Sequence, residues 1–308
     1  MAGDGRLGLE HCLGIRRGLR HLSARMSDPA SSIQLLDACG PLATLLHLSF
    51  EVGTNCNLAR SHSKCPASQA NRWPDTTRGP LSVADIVKTI EDARSLGFRG
   101  YVGFHYYNEP LLERGFILNV IQRSTYQRFM LWTNGLLLGR DDGEDDVLPR
   151  FDWVMISVYD WTSDGERFAR LARRYPHTRI DLLQADLDDR LGIYRREPHG
   201  TVRCWRPRLD LPIDHFGNVH LCCQDWRGSV PLGNIRRDSL RDALTQSGYA
   251  GIIGSLCEAE GDSPRVCRAC TARVGEDTYA AYRQRYDGGV TRPERHSGTW
   301  TRTRQRLR

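Results

Sequence analysis

The chain has 308 residues, room for one α/β domain of about 200–250 residues and a smaller unit. Its 43 basic residues outnumber 37 acidic ones, a net charge of +6, and it carries ten cysteines. No stretch reaches the roughly 18 consecutive apolar residues of a spanning helix, so association with a membrane in that form is excluded.

The first 43 residues read as an extension. Gly14–Arg25 carries four arginines where a secretory leader would be apolar, so a cytoplasmic, reducing compartment is expected. In that setting cysteines serve metals or redox chemistry rather than disulfides. The charge excess sits at Arg16–Arg25 and in the tail Arg283–Arg308. Residues 281–308 therefore read as a basic, disordered tail. Nucleic acid is not an expected partner, because no aromatic residues interleave with the basic ones.

Residues 44–200 alternate strand-like and helix-like segments. Leu45–Glu51 is a strand leading into a cysteine-containing loop. Ser82–Leu96 is an amphipathic helix with Val83, Ile86, Val87, Ile90 and Ala93 on one stripe, Ser82 as N-cap and Gly97 as stop. Gly100–Tyr107 is a strand, Leu112–Arg123 a helix, Phe129–Thr133 and Trp153–Tyr159 strands. Ser163–Tyr175 is a helix with Phe168, Leu171 and Ala172 inward, and Arg179–Leu183 a strand. Repeated β-then-α units specify a parallel sheet, here a partial α/β barrel of at least five strands. In such barrels the loops after the strands carry the chemistry. Cys56 and Cys65, then Asn108-Glu109-Pro110, then Asn134, then Asp160 all stand at that end.

Residues 201–280 form a cysteine-rich second unit. Cys204, Cys222, Cys267 and Cys270 follow the spacing C-x17-C-x44-C-x2-C. Leu211–Asp214 and Asn218–Cys222 read as two short strands joined by a tight turn at Gly217. Four thiolates brought together from separate elements suit either zinc or an iron–sulfur cluster.

At these residues the chain resembles the radical S-adenosylmethionine (SAM) enzymes. Phe50–Leu58 resembles the end of that family's first strand and the start of its cluster loop. Tyr107–Leu112 resembles the segment that binds the SAM amino group, and Thr133-Asn134-Gly135 the end of the third strand. Gly217 five residues before Cys222, with Gly233-Asn234-Ile235 after it, is similar to the auxiliary-cluster module called SPASM, in its shortened one-cluster form, the twitch domain. The resemblance spans about residues 44–275 and implies a first [4Fe–4S] cluster that binds SAM, a second auxiliary cluster on Cys204, Cys222, Cys267 and Cys270, and generation of a 5′-deoxyadenosyl radical. It implies that Glu109 accepts from the SAM ammonium, and that Asn108, Asn134, Ser157 and Asp160 contact SAM or substrate. Glu109 also reads as the acid opening a helix, and Asp160 as a helix N-cap.

One departure stands out. The family's C-x3-C-x2-C becomes Cys56 with Arg60 and Ser63 at the next two ligand positions, and Cys65 follows after an expanded loop with Ser68 at the third. His62 completes C-x5-H-x2-C, three donors in one loop. The competing readings are an ordinary loop histidine, zinc on Cys56 and Cys65 with partners elsewhere, a decayed, inactive site, and an intact site completed by a non-protein or unrecognised ligand. Cys223 and Cys257 are candidate hydrogen-atom donors to a substrate radical, or buried apolar cysteines.

The resemblance implies an oxidoreductase or epimerase that takes hydrogen from a small polar molecule in natural-product or antibiotic biosynthesis, similar to aminocyclitol dehydrogenases and aminoglycoside epimerases. Flavodoxin or ferredoxin is the implied electron donor. The alternatives are a peptide-modifying maturase and an inactive cluster- or zinc-binding protein.

Overall fold

The computed structural model describes residues 40–139, 146–194, 201–258 and 261–287. Cys12, Cys39 and the basic tail beyond 287 lie outside the described residues. Six strands form one fully parallel sheet: β1 His47–Phe50, β2 Tyr101–Gly103, β3 Phe129–Thr133, β4 Trp153–Val158, β5 Arg179–Gln184 and β6 Asp210–Ile213. Their order is β5-β4-β3-β2-β1-β6, an open α/β arrangement with its two ends unjoined. Helices α1 Val83–Ser95, α2 Arg114–Arg123 and α3 Trp161–Arg174 return the chain between strands. The C-terminal part adds α4 Arg206–Leu209, α5 Leu240–Gln246, α6 Tyr249–Cys257, α7 Arg265–Ala269 and α8 Glu276–Asp287.

The strands alternate strictly, which is unusual for a sheet covered on both sides. Leu48 and Phe50, Leu131, Val154 and Ile156, Leu211 and Ile213 point into the main core under the helices. Met130, Trp153 and Met155 point to the opposite, concave face, where α8 packs. His47, Ser49 and Asp210 lie on that face too, so polar residues inside a buried strand mark a lined cleft rather than a packed core.

Local signals set the helix starts. Ser82 caps α1 through a reciprocal capping box with Asp85. The helix expected from Leu112 starts later, at Arg114, because Pro110–Glu113 forms a 3₁₀ turn capped by the Glu109 side chain. The strand expected over Gly100–Tyr107 ends at Gly103. Beyond it the Asn108 side chain accepts from Tyr106 N at 3.0 Å and donates to Phe104 O at 3.1 Å, curling the segment out of the sheet.

The expected hairpin around Gly217 is present in a shorter form. Leu211–Ile213 belongs to β6, which pairs with β1 on one side. Residues 218–220 return beside it: Ile213 and Val219 form an antiparallel bridge, His220 N donates to Pro212 O at 2.9 Å and Asp214 N to Asn218 O at 3.0 Å. The turn itself stands, with Gly217 at φ 88° and Asp214 accepting from Phe216 N and Asn218 N.

Candidate active site

A cleft of about 1280 Å³, its mouth included, runs along the concave face and past the C-terminal strand ends. Its rim is built around Glu51, fully buried at the end of β1. The Glu51 carboxylate accepts from Arg72 Nη2 at 2.6 Å, Trp73 Nε1 at 2.7 Å, Tyr107 N at 3.2 Å and His215 N at 3.3 Å. One side chain thus ties the cluster-type loop, the β2 exit and the β6 exit together. Burial raises the Glu51 carboxyl, and the Arg72 guanidinium opposes that rise.

Glu109 lies 2 % exposed on the cleft wall. Its Oε1 accepts from Thr133 Oγ1 at 2.6 Å and Leu111 N at 3.1 Å, and its Oε2 from Asn134 N at 2.9 Å. It caps the following turn, as the helix-opening reading expects, and its carboxylate also lines the cleft. Burial raises its carboxyl, and the Thr133 hydroxyl and the Asn134 and Leu111 amides hold it down. Among the described residues Oε2 accepts from Asn134 N alone and so has room for a further donor. Asn108, Asn134 and Ser157 line the same cleft. Asn134 Nδ2 donates to Asn57 Oδ1 at 2.6 Å, and Ser157 Oγ accepts from Trp132 Nε1 at 2.9 Å.

Cys56, His62 and Cys65 line the cleft together, in a loop of successive turns: Ala59 N to Cys56 O, His62 N to Leu58 O, Cys65 N to His62 O. Cys56 Sγ accepts from Leu58 N at 3.4 Å. Burial raises the Cys56 thiol, and the nearby Glu109 and Cys65 push the same way. His62 is 5 % exposed, with Nε2 2.8 Å from Asp188 O.

The second cysteine set surrounds a different cavity. Cys204, Cys222, Cys267 and Cys270 line one space of about 370 Å³, its open side included, with Tyr194, Arg206 and Gln224. Burial raises the Cys222 thiol well up, and neighbouring Cys223 and Cys204 add to it; Cys267 is pushed up to about 12 by burial and then by Cys204. Thiols that raise one another become stable thiolates only around shared positive charge. Four thiols lining one space suit a cluster held by its corners. Cys270 Sγ also accepts from Ala272 N at 3.3 Å, a contact of the kind that tunes cluster potentials.

The two spaces share a wall. Cys222 faces the four-cysteine cavity and Cys223 the cleft, while Arg206 and Gln224 border both. Arg206 Nη1 donates to Cys223 Sγ at 3.4 Å and Nε to Ala272 O at 2.9 Å. Burial works against its charge, but the thiols of Cys223, Cys222 and Cys204 hold it.

Comparison with known proteins agrees with this geometry. The family model of the SPASM iron–sulfur cluster-binding domain matches residues 204–271, the span that contains all four cavity cysteines. An S-adenosyl-L-methionine-dependent 2-deoxy-scyllo-inosamine dehydrogenase from Niallia circulans is 25% identical over 235 residues, covering 72% of this chain and 91% of that protein. Residues 204–271 thus match the SPASM family, and most of the chain is similar to a SAM-dependent dehydrogenase. The chain's fold is shared with the crystal structure of BtrN in complex with AdoMet and 2-DOIA, at 21% identity and a TM-score of 0.56 over 76% of this chain and 96% of that one. BtrN in an open conformation aligns at 20% identity and a TM-score of 0.50, over 76% of this chain and 97% of that one.

Two expected site residues are displaced from the cleft. Asp160 is exposed, accepts from Thr162 N and Ser163 N, and is absent from the cleft lining; it is the N-cap of α3. Cys257 is buried in α6, donates to Cys204 O at 3.7 Å and reaches no cleft, and burial pushes its thiol up to about 11. It packs as an apolar residue. Sequence reasoning passed over the Glu51–Arg72 pair, Arg190, Arg206, Asp210, His47 and His105. The last five line the cleft. Burial lowers His47 to about 3 and His105 to about 4, so both imidazoles are neutral, and it raises Asp210 to about 7. The one available signal was polar residues at alternate positions inside strands.

Proposed function

We propose that the chain dehydrogenates a small polyhydroxylated substrate, an aminocyclitol or close analogue, in natural-product biosynthesis. The observation that carries this reading is the single cleft with a Cys–His–Cys loop and Glu109 on its rim and the four-cysteine cavity behind its far wall. The similarity to a 2-deoxy-scyllo-inosamine dehydrogenase supports it. Cys56 and Cys65 would hold the first cluster, and Cys204, Cys222, Cys267 and Cys270 the second. When bound, SAM and the clusters supply a 5′-deoxyadenosyl radical that takes one hydrogen atom from carbon, and an acceptor for the second electron.

The chain's own residues do the rest. Glu109 Oε2 offers a charge-assisted acceptor to the SAM ammonium, with Asn108, Asn134 and Ser157 around it. His47 Nε2, His105 Nδ1, Tyr106 OH and Gln224 Oε1 are buried, unpartnered and on the cleft wall. Neutral imidazoles and an amide oxygen suit hydroxyl groups, and leaving them unpaired favours a substrate that satisfies them. Oxidising an alcohol to a ketone also releases a proton. Asp210 is the cleft carboxylate poised to accept it: burial places it near 7, and Ser49 Oγ holds its Oδ1 at 2.6 Å. A cytoplasmic flavodoxin or ferredoxin would supply the priming electron.

The test is anaerobic turnover with 2-deoxy-scyllo-inosamine and related aminocyclitols deuterated at the oxidised carbon. Deuterium in 5′-deoxyadenosine together with a ketone product is expected. SAM cleavage without deuterium transfer from any of these compounds contradicts the substrate class. A second reading, epimerisation, is favoured by one observation, the Cys223 thiol in the cleft. It requires a hydrogen from solvent at the inverted carbon, lost in Cys223→Ala.

A further inference from the structure

The first cluster needs three protein ligands, and among the described residues its loop supplies two cysteines, Cys56 and Cys65; Cys223 lines the same cleft from the wall it shares with the four-cysteine space. Among the residues in the positions normally filled by cysteine, Ser63 and Arg60 are exposed and absent from the cleft lining. Ser68 is exposed as well, and its hydroxyl is committed to Ser63 O at 2.9 Å and Cys65 O at 2.7 Å. His62 differs on every count. It is 5 % exposed, lines the cleft, and sits in the turn that directly precedes Cys65.

The ring is also oriented. Its Nε2 lies 2.8 Å from Asp188 O, and a backbone carbonyl only accepts, so Nε2 carries the hydrogen. Nδ1 is then the nitrogen free to offer a lone pair, and none of the described residues forms a hydrogen bond with it. A ligating histidine characteristically donates its other N–H to a carbonyl or carboxylate, which fixes tautomer and direction. The bracing extends beyond the ring: Lys64 O accepts from both Arg190 N and Leu191 N at 3.1 Å, so the 188–191 segment grips the loop on both sides of Ser63. A surface-loop histidine would have no such buttress.

We propose that His62, through Nδ1, is the third protein ligand of the SAM-binding cluster, beside Cys56 and Cys65. This rests on the radical SAM reading of the cleft. The resulting two-thiolate, one-imidazole set leaves one iron open for SAM, as three cysteines would, and imidazole in place of thiolate raises a cluster's reduction potential.

The auxiliary donors are all thiols, so any histidine nitrogen coupled directly to a reduced cluster belongs to the first site. The experiment uses full-length protein reconstituted anaerobically, reduced without SAM, with histidine labelled in ¹⁵N. Electron–nuclear double resonance should show a strongly coupled nitrogen that changes isotope with the label. His62→Cys should keep about eight irons per chain, lose that coupling and titrate at a lower potential. His62→Ala should fall to about four irons. About eight irons in the unsubstituted protein without a histidine coupling overturns the ligand and leaves the radical SAM reading standing. A coupling that survives His62→Cys assigns the nitrogen elsewhere, with His105 and its unpartnered Nδ1 the nearest rival, and overturns it equally. About four irons in the unsubstituted protein overturns the proposal together with the reading beneath it.

Discussion

Replacing Arg72 by methionine tests how the active-site rim is held. The Arg72–Glu51 contact is 2.6 Å long with side chains 2 % and 0 % exposed, so removing the guanidinium strands a buried carboxylate. Breaking one side of such a pair costs about 3–5 kcal/mol. Two features place this case at the low end. Three other donors remain on Glu51, from Trp73, Tyr107 and His215. The lost side chain also leaves nothing well satisfied behind, since Arg72 Nε and Nη1 have no partners and the guanidinium lies over the Trp73 ring at 4.1 Å.

About 3 kcal/mol is therefore expected, or a fall of roughly 6–12 °C in Tm for a domain of this size. The loss should depend on pH. Without Arg72 the folded-state pKa of Glu51, already raised by burial, rises further above its unfolded value. A group raised in this way gives up stability as pH increases, so the variant's deficit widens from pH 5 to pH 8. Denaturant titrations of the anaerobic protein at the two pH values measure it. Glu51→Gln combined with Arg72→Met removes both charges and should be more stable than Arg72→Met alone. A single variant within about 1 kcal/mol of the parent and indifferent to pH would refute the reasoning.

Three further outcomes follow from the same geometry. Glu109→Gln exchanges a charge-assisted acceptor for a neutral one, worth about 1.5 kcal/mol, so SAM should bind about tenfold more weakly in equilibrium titration. His47 is buried neutral, lowered from 6.5 to about 3 first by desolvation and then by His105. The unfolded chain binds a proton that the fold refuses, so stability is lost as pH falls below 6.5, by about 2 kcal/mol at pH 5, and His47→Gln should flatten that slope in denaturation curves. Cys222→Ala should halve the iron content, from about eight to about four per chain, while 5′-deoxyadenosine still forms on reduction with SAM.

The parts of this molecule legible in its sequence are those governed by local rules. Helix α1 announces itself through the Ser82 cap and a stripe of apolar residues, and β3 through an unbroken apolar run between turns. The C-x2-C clip at Cys267 and Cys270 is legible because ligand spacing on a short helix is a local property. What escaped depends on tertiary partners. Glu51 and Arg72 are 21 residues apart and carry no joint signal. Asp210 looks like the edge of an ordinary strand until β6 is seen beside β1, where its Cα pairs with that of His47. The segment expected to form a hairpin does so, and its first strand also takes the sheet edge beside β1, a tertiary pairing with no local signal. Asp160 shows the converse: an acid at a strand end has the same local pattern whether it caps a helix or faces a ligand, and only its exposure separates the two.

The central claim is that one cleft serves two cluster sites. Anaerobic reconstitution with iron and sulfide, followed by dithionite and SAM, addresses it directly. About eight irons per chain with release of 5′-deoxyadenosine is the predicted result. About four irons with SAM left intact would contradict it, leaving only the four-cysteine site loaded.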